Sequence, residues 1–505
     1  MVASRADTML GDPSSVAVGP CGGSVDGGLR RVDRRALLRQ RLESGEARLH
    51  PITFPQRELW DTSPVAVADP ANHICGFVEI KGRITFKEAE MALQRVADRQ
   101  EAMRISFLPG KERVLQMIRA SGRALLGYRE LSSAEARPGA LEDLMKETYR
   151  LPFDLMQGPL YRVDMLQRAA NDHILVFSIH HAIADGWSLG VFVQDLCTAY
   201  VMGLSGFRKA VAVGVMGRSN TLPPVPQTYS EWAAAERAFW QPAELEPRAA
   251  FWKSQLAGYR RIWSALEGPE TASGAHQRLI SHFPAKLANA ARELGRRSGA
   301  TLFSTLLAAF QVALSRWTGA QDILVGTPVA NRTKQAMNET MGYFAGIVPL
   351  RSRVEPERSF SAGLRALHQT TVDCFANAMP FAELARALGD AGAPGHNPIF
   401  EVRFALQNHP IPDVALPGML AKLRMRSTGT ARFHLACEIT EEAEQLEVVW
   451  LFRPKLFPEA EVENLGRSFQ NLLAGACRSP ETSIAAMQST GSLNALDVSG
   501  SLNHS

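Results

Sequence analysis

The sequence has little cysteine, and what it has is scattered: Cys21, Cys75, Cys197, Cys374, Cys437 and Cys477 make six in 505 residues, with no C-x-x-C pair among them. That spacing argues against a zinc site or a disulfide framework and fits thiols held in a reducing compartment. Charge of one sign is also scarce. Lys and Arg total 55 against 51 Asp and Glu, a net +4, too weak for the global field of a nucleic-acid-binding protein. Long hydrophobic runs are missing as well. "MVASRADTMLGDPSSVAVGP" at the N-terminus lacks the apolar stretch of a signal peptide, and "TLFSTLLAAFQVAL" (301–314) is too short and interrupted to span a bilayer. The expectation is a soluble, cytoplasmic protein with no membrane or nucleic-acid partner, in which the N-x-[ST] tripeptides at Asn331 and Asn338 are chance matches.

What is present is the balance of a globular protein, 46% hydrophobic and 21% charged residues. The length predicts two or three folded units. Residues 1–28 and 479–505 are rich in small and turn-forming residues and poor in large apolar ones, so both ends are expected to be disordered. "GPCGGSVDGG" (19–28) is no phosphate loop, since no strand precedes it and no G-K-[ST] follows. Residues 29–49 open with "LRRVDRRALLRQRLE", a basic amphipathic helix carrying Arg34, Arg35 and Arg39. It is either a solvated helix packed on the first lobe or a docking element for an acidic partner. From residue 50 onward strand-like runs alternate with helical periods, "HICGFVEIKG" before "TFKEAEMALQRVADRQEAM" and "DHILVFSIHH" before "WSLGVFVQDLCTAYVMG". A Pro-rich crossing, "GRSNTLPPVPQ" (217–227), separates this series from a second one. Two comparable α/β units, 50–225 and 226–478, imply a cleft between them, where ligand sites commonly lie.

The stretch "SIHHAIADGWSL" (178–189) concentrates chemistry. "HILVFSI" reads as a buried strand that delivers His180 and His181 at its end; Asp185 and Gly186 reverse the chain, and "WSLGVFVQDL" starts a helix. A neutral imidazole at such a strand terminus can take a proton from an attacking amine or hydroxyl, or fix the nucleophile by hydrogen bonding. The turn at Gly186 can aim a backbone N–H at a developing oxyanion. Acyl transfer is the chemistry indicated. The bland alternative is a satisfied core pair of histidines. A metal centre would need further ligands, and apart from Asp185 no His or Cys stands nearby at metal-site spacing. Covalent catalysis has weaker support: Ser178 and Ser188 lack a G-x-S-x-G elbow, and Cys197 reads as a core thiol. Asp185 is better placed to hold the turn through an arginine than to act directly.

Around this turn, in order, the chain resembles the condensation domains of nonribosomal peptide synthetases and hybrid polyketide assembly lines, members of the chloramphenicol-acetyltransferase-like group. "TFPQRELW" (53–60) is similar to their S-x-A-Q-x-R-L-W at Gln56 and Trp60, and "RQEAMRISF" (99–107) to R-H-E-x-L-R-T-x-F at Arg99, Glu101, Arg104 and Phe107. "YSEWA" (229–233) resembles Y-x-D-[FY]-A, and "MGYFAGIVPLR" (341–351) follows G-x-F-x-N-T-x-x-x-R at Gly342, Phe344 and Arg351. "MPFAEL" and "HNPIFEVRFALQN" look like the two late motifs through Pro380, Phe381, Asn397 and Pro398. The resemblance implies an α/β fold of two acetyltransferase-like lobes in a V-shaped pseudodimer, with the active site in the tunnel between them. It implies no bound cofactor and no metal. The acyl chain would arrive on the phosphopantetheine of an acyl or peptidyl carrier protein, and the acceptor would be a small alcohol or amine. His181 becomes the catalytic residue, His180, Asp185 and Gly186 shape the loop, and Arg104 is the partner of Asp185. Trp187, Ser188, Gly346 and Ile347 are expected along the substrate tunnel.

Four positions depart from the family pattern. Gly346 and Ile347 replace Asn-Thr, Pro55 replaces Ala, and Gln100 replaces His, which bears on substrate preference rather than fold. Intact His180 and Asp185 speak against the cyclising D-x-x-x-x-D subtype and against a dead domain. No adenylation or carrier segment fits the remaining residues, so the expectation is a trans-acting enzyme. It would meet its carrier through Arg34, Arg35 and Arg39 and release a finished chain in natural-product biosynthesis. An alcohol acceptor, giving an ester, is favoured over an amine because of Gly346 and Ile347. The other readings are a CoA-dependent O-acyltransferase of the same fold and a non-catalytic carrier-binding domain.

Overall fold

A computed structural model describes residues 34–487 apart from 62–65, 111–112, 204–220, 264–275, 390–396, 398, 408–413, 417–418, 427–432 and 443–444. The expected disorder of residues 1–28, Cys21 and Pro398 therefore lie outside the described residues. The chain divides into two units, Met1–Gly45 and Glu46–Ser505. In the first, the arginine-rich stretch forms the helix Arg34–Glu43, with Arg34 and Arg35 in its first turn and Arg39 exposed. The chain leaves that helix through Gly45 at φ +75°, a backbone state that favours glycine. The docking segment expected over 29–49 is thus too long. Ala47–Pro51 is a strand of the second unit, paired antiparallel with Leu115–Arg119, and its side chains alternate: Ala47 is buried and Leu49 exposed.

The second unit is mixed α/β. One six-stranded sheet runs in the order Val414–Leu416, Met419–Arg426, His73–Gly82, Asp172–His180, Tyr161–Ala169, Leu126–Glu130. The other runs Gly346–Arg353, Asp322–Val329, Val402–Gln407, Leu435–Glu442, Gln445–Phe452, Gln277–Phe283. In the first sheet the histidine-bearing strand Asp172–His180 is covered on both faces, which is why it reads as a continuous apolar run. Ile174 and Val176 pack with Leu141, Met145 and Tyr149 on one side. Leu175, Phe177 and Ile179 meet the helices Phe86–Arg99 and Gly186–Gly203 on the other. In the second half, Leu302–Thr318 is apolar because it is buried almost all round. Among the described residues no single helix is long and apolar enough to cross a membrane.

Two expected boundaries move. The division at 225/226 does not separate the two cores: Tyr229, Trp232, Met337, Tyr343, Phe344 and Leu423 all pack in the core of the first sheet. Met419–Arg426 pairs antiparallel with residues 75–82 of the strand His73–Gly82, satisfying backbone groups that an open edge would leave unpaired. At the C-terminus, the part of the 479–505 tail that is described is packed. Ile484 and Met487 are buried in the second core, and Phe360 N–H donates to Thr482 O at 3.1 Å. Two apolar anchors suffice to order a segment whose small-residue composition suggested otherwise.

Candidate active site

The histidine strand ends in a turn held on each side of His181. His180 N–H donates to Leu160 O at 2.9 Å, and the His180 ring caps the short 3-10 turn His181–Ile183, its Nδ1 accepting Ala182 N–H at 3.0 Å. Nε2 must then carry the ring proton, which it donates to Val67 O at 2.8 Å. His180, fully buried, is thereby fixed as a neutral, structural histidine. On the far side, Ala182 O accepts from Gln56 Nε2 at 2.9 Å, while Gln56 Oε1 accepts Thr53 N–H at 2.9 Å. Between these anchored peptides His181 is half-buried. Its imidazole lies against the Tyr343 ring, centroids 4.5 Å apart and planes at 60°.

Asp185 is buried and fully employed. Its Oδ1 accepts Ser188 N–H at 2.9 Å and Arg332 Nη2 at 3.2 Å, and its Oδ2 accepts Phe344 N–H at 3.1 Å. The Ser188 hydroxyl lies 2.8 Å from both Asp185 Oδ1 and Gly342 O, its one proton serving one of them, and accepts Gly342 N–H at 3.1 Å. Arg332 also donates to Ser188 Oγ at 3.1 Å, to Thr340 O at 2.8 Å and to Met337 O, and its guanidinium sits 4.0 Å from the Phe344 ring centre. Burial pushes the Arg332 pKa down and the Asp185 carboxylate pulls it back. The network staples the turn after the histidines to the segment Gly342–Phe344.

An arginine does hold Asp185, but it is Arg332 and not Arg104. The Arg104 guanidinium donates to the carbonyls of Ala97 (3.0 Å), Arg119 (2.6 Å) and Ala120 (2.7 Å), tying the helix Phe86–Arg99 to the strand Leu115–Arg119. Arg332 lies 147 residues from Asp185 along the chain, so local spacing gives no hint of the pair. The available signal is "ANR" directly after the strand Asp322–Val329, where Asn331 takes φ +50° and donates from Nδ2 to Phe344 O at 3.0 Å. Gln100, in the place of a histidine, works as donor and acceptor together. Its Nε2 donates to Asp195 Oδ2 (2.7 Å) and Glu339 O (2.9 Å), and its Oε1 accepts Met341 N–H (2.9 Å).

Of the expected tunnel residues, Trp187 is half-buried and donates from its indole to Asn338 O at 3.0 Å. Ser188 is fully buried, so its side chain holds the turn instead of lining a passage. Ile347 packs into the second core, on a strand whose residues 347–350 are all buried, and only Gly346 remains half-buried at the strand's start. Gly186 begins the helix Gly186–Gly203. Cys197 is no nucleophile: burial pushes its thiol pKa up to about 11. Among the described residues no three His, Cys, Asp or Glu side chains are arranged to hold a metal ion.

Gly342 has a steric reason to be glycine. A Cβ there would lie 2.2 Å from Tyr229 Cδ2, and the Tyr229 ring is itself wedged against Trp232 and Phe344. Gly342→Ala is expected to destabilise the protein by about 3 kcal/mol, read as a fall in the denaturant midpoint. An unchanged midpoint would contradict this packing.

Comparisons with known proteins bear on the family and the fold. Residues 46–495 match the family model of the condensation domain. Phosphinothricin tripeptide synthetase PhsC of Streptomyces viridochromogenes is 29% identical over 448 residues, covering 86% of this chain and 40% of the relative. Chondramide synthase of Chondromyces crocatus is 25% identical over 437 residues, covering 85% of this chain and 11% of the relative. The chain thus spans less than half the length of these relatives. Among solved structures, the first condensation domain of the CDA synthetase superimposes with a TM-score of 0.69 at 20% identity, covering 87% of this chain and 99% of that one. That likeness extends the acetyltransferase-like α/β fold to this chain. Condensation domains need no cofactor of their own, and their substrates ride on carrier-protein phosphopantetheine. The family match takes in every residue that anchors the histidine turn, and the chain belongs to the condensation domain family.

Proposed function

We propose that the chain transfers an acyl or peptidyl group from a carrier-protein thioester to a small nucleophile, with His181 as the general base. The acceptor's O–H or N–H attacks the thioester carbonyl and gives its proton to the His181 imidazole. The tetrahedral oxyanion then collapses, the C–S bond breaks, and the imidazolium returns the proton to the departing phosphopantetheine thiolate. One observation carries the reading. Of two adjacent histidines, His180 is locked by two hydrogen bonds while His181 stays half-open between anchored peptides.

Under this reading the carrier is presented by a separate polypeptide, the setting is cytoplasmic, and the reaction releases a chain in natural-product biosynthesis. Carrier proteins are usually acidic, which makes the basic helix Arg34–Glu43 the docking element. Charge reversal at Arg34, Arg35 and Arg39 is expected to raise the KM for carrier by about tenfold and to leave kcat unchanged; unaltered kinetics would remove the docking role. The preference for an alcohol acceptor, giving an ester, rests on Gly346 alone now that Ile347 lies in the core.

The test is to load a carrier protein with a short acyl thioester, add alcohol or amine acceptors, and follow unloading by intact-protein mass spectrometry. Acceptor-dependent unloading supports the reading, and the product mass distinguishes ester from amide. Turnover of acyl-CoA without carrier unloading would instead place the chain among CoA-dependent O-acyltransferases.

A further inference from the structure

The backbone on both sides of Tyr343 is pinned more heavily than packing alone requires. Gly342 N–H donates to Ser188 Oγ, Tyr343 O accepts the Tyr229 hydroxyl at 3.1 Å, Phe344 N–H donates to Asp185 Oδ2, and Phe344 O accepts Asn331 Nδ2. Tyr229 is buried and its phenol pKa is pushed well above the ordinary value by that burial, so it remains the donor. Four bonds over three residues fix the backbone that carries the Tyr343 side chain. That side chain is 2% exposed, and its ring is the aromatic surface against the His181 imidazole.

Resting on the general-base reading above, we infer that Tyr343 is a positioning residue. Its ring holds the His181 imidazole in place and stabilises the imidazolium that forms in the transition state. The ring centre lies 4.5 Å from the imidazole with the planes at 60°, within the range, about 6 Å, over which the face of an aromatic ring attracts a cation. The neutral imidazole gains less from it than the imidazolium does, so the interaction strengthens as the proton transfers. That is the condition for raising kcat instead of merely tightening binding. The turn aspartate then contributes to catalysis at one remove: Asp185 fixes Phe344, which fixes the Tyr343 ring against the base.

Three variants at this position separate the ring's electronics from its bulk. Tyr343→Phe keeps the ring face, and kcat is expected to stay within about twofold of the parent. Tyr343→Leu removes the ring, and kcat is expected to fall by about 5- to 30-fold with KM within about twofold. Tyr343→pentafluorophenylalanine keeps the ring's shape but reverses its quadrupole, and kcat is expected to fall as far as in the leucine variant. This third variant preserves the test if the leucine variant does not fold. Equal kcat for the phenylalanine and pentafluorophenylalanine variants would overturn the inference, as would a loss confined to KM or a phenylalanine variant as slow as the leucine one. His181→Ala in the same carrier-unloading assay separates the two levels. If it retains the parent rate, the general-base reading falls and the role of Tyr343 falls with it; if it is inactive while the three Tyr343 variants match the parent, only the role of Tyr343 is overturned.

Discussion

Arg332→Ala is expected to destabilise the protein by about 3–5 kcal/mol, close to the whole stability of a marginal domain. Both partners of the Arg332–Asp185 pair are almost fully buried, with side chains 2% and 3% exposed. Removing the guanidinium leaves a carboxylate in the core with only neutral donors around it. It also frees the Thr340 carbonyl, leaves Met337 O with the Thr340 N–H alone, and empties the space over the Phe344 ring. Asp185→Asn keeps the shape but loses the charge and turns an acceptor into a donor facing Arg332 or Phe344 N–H, so it is costly as well. Because both substitutions break one network, the double variant is expected to lose less than the sum of the singles. Chemical denaturation of the three variants measures this directly. A loss under about 1 kcal/mol for Arg332→Ala would show that the pair does not hold the turn.

His181→Ala is expected to lower kcat by about 10²- to 10⁴-fold while leaving the unfolding midpoint nearly unchanged. The opposite pattern is expected one residue earlier. His180 is buried and its ring makes two backbone hydrogen bonds, so His180→Ala removes the partner of Ala182 N–H, leaves Val67 O with Asn72 Nδ2 alone, and lowers stability first. Paired kinetic and denaturation measurements separate the two histidines. Comparable kinetic losses from both, with comparable destabilisation, would argue that His181 is structural too.

Much of the architecture is legible in local patterns. The strand Asp172–His180 announces itself because it is covered on both faces, and the helix Gly186–Gly203 because its apolar residues recur at helical spacing. The histidine turn is legible for a similar reason, since one short segment holds a strand end, the two histidines and the aspartate. Asp185's need for an arginine also follows from its chemistry. Which arginine answers it does not, because Arg332 arrives from a distant strand end and no local period links the two. Arg104 sits in a motif and so attracts the role, yet its guanidinium is spent on backbone carbonyls. Ile347 fails as a tunnel residue because tertiary structure covers both faces of its strand and places it in the second core, where it pairs with Pro328. Tyr343 carries no motif signal, since its importance comes from the rings and donors that tertiary structure gathers around it.

In the proposed reaction His181, held in place by the turn, takes the acceptor's proton while a carrier-bound thioester is cleaved. The measurement that bears on it most directly is the single-turnover rate of acyl loss from a preloaded carrier, with excess enzyme and saturating acceptor, for the parent protein and His181→Ala. Acceptor-dependent unloading by the parent is expected, with a rate at least about 100-fold lower for a folded His181→Ala variant. Equal rates for the two proteins would contradict it.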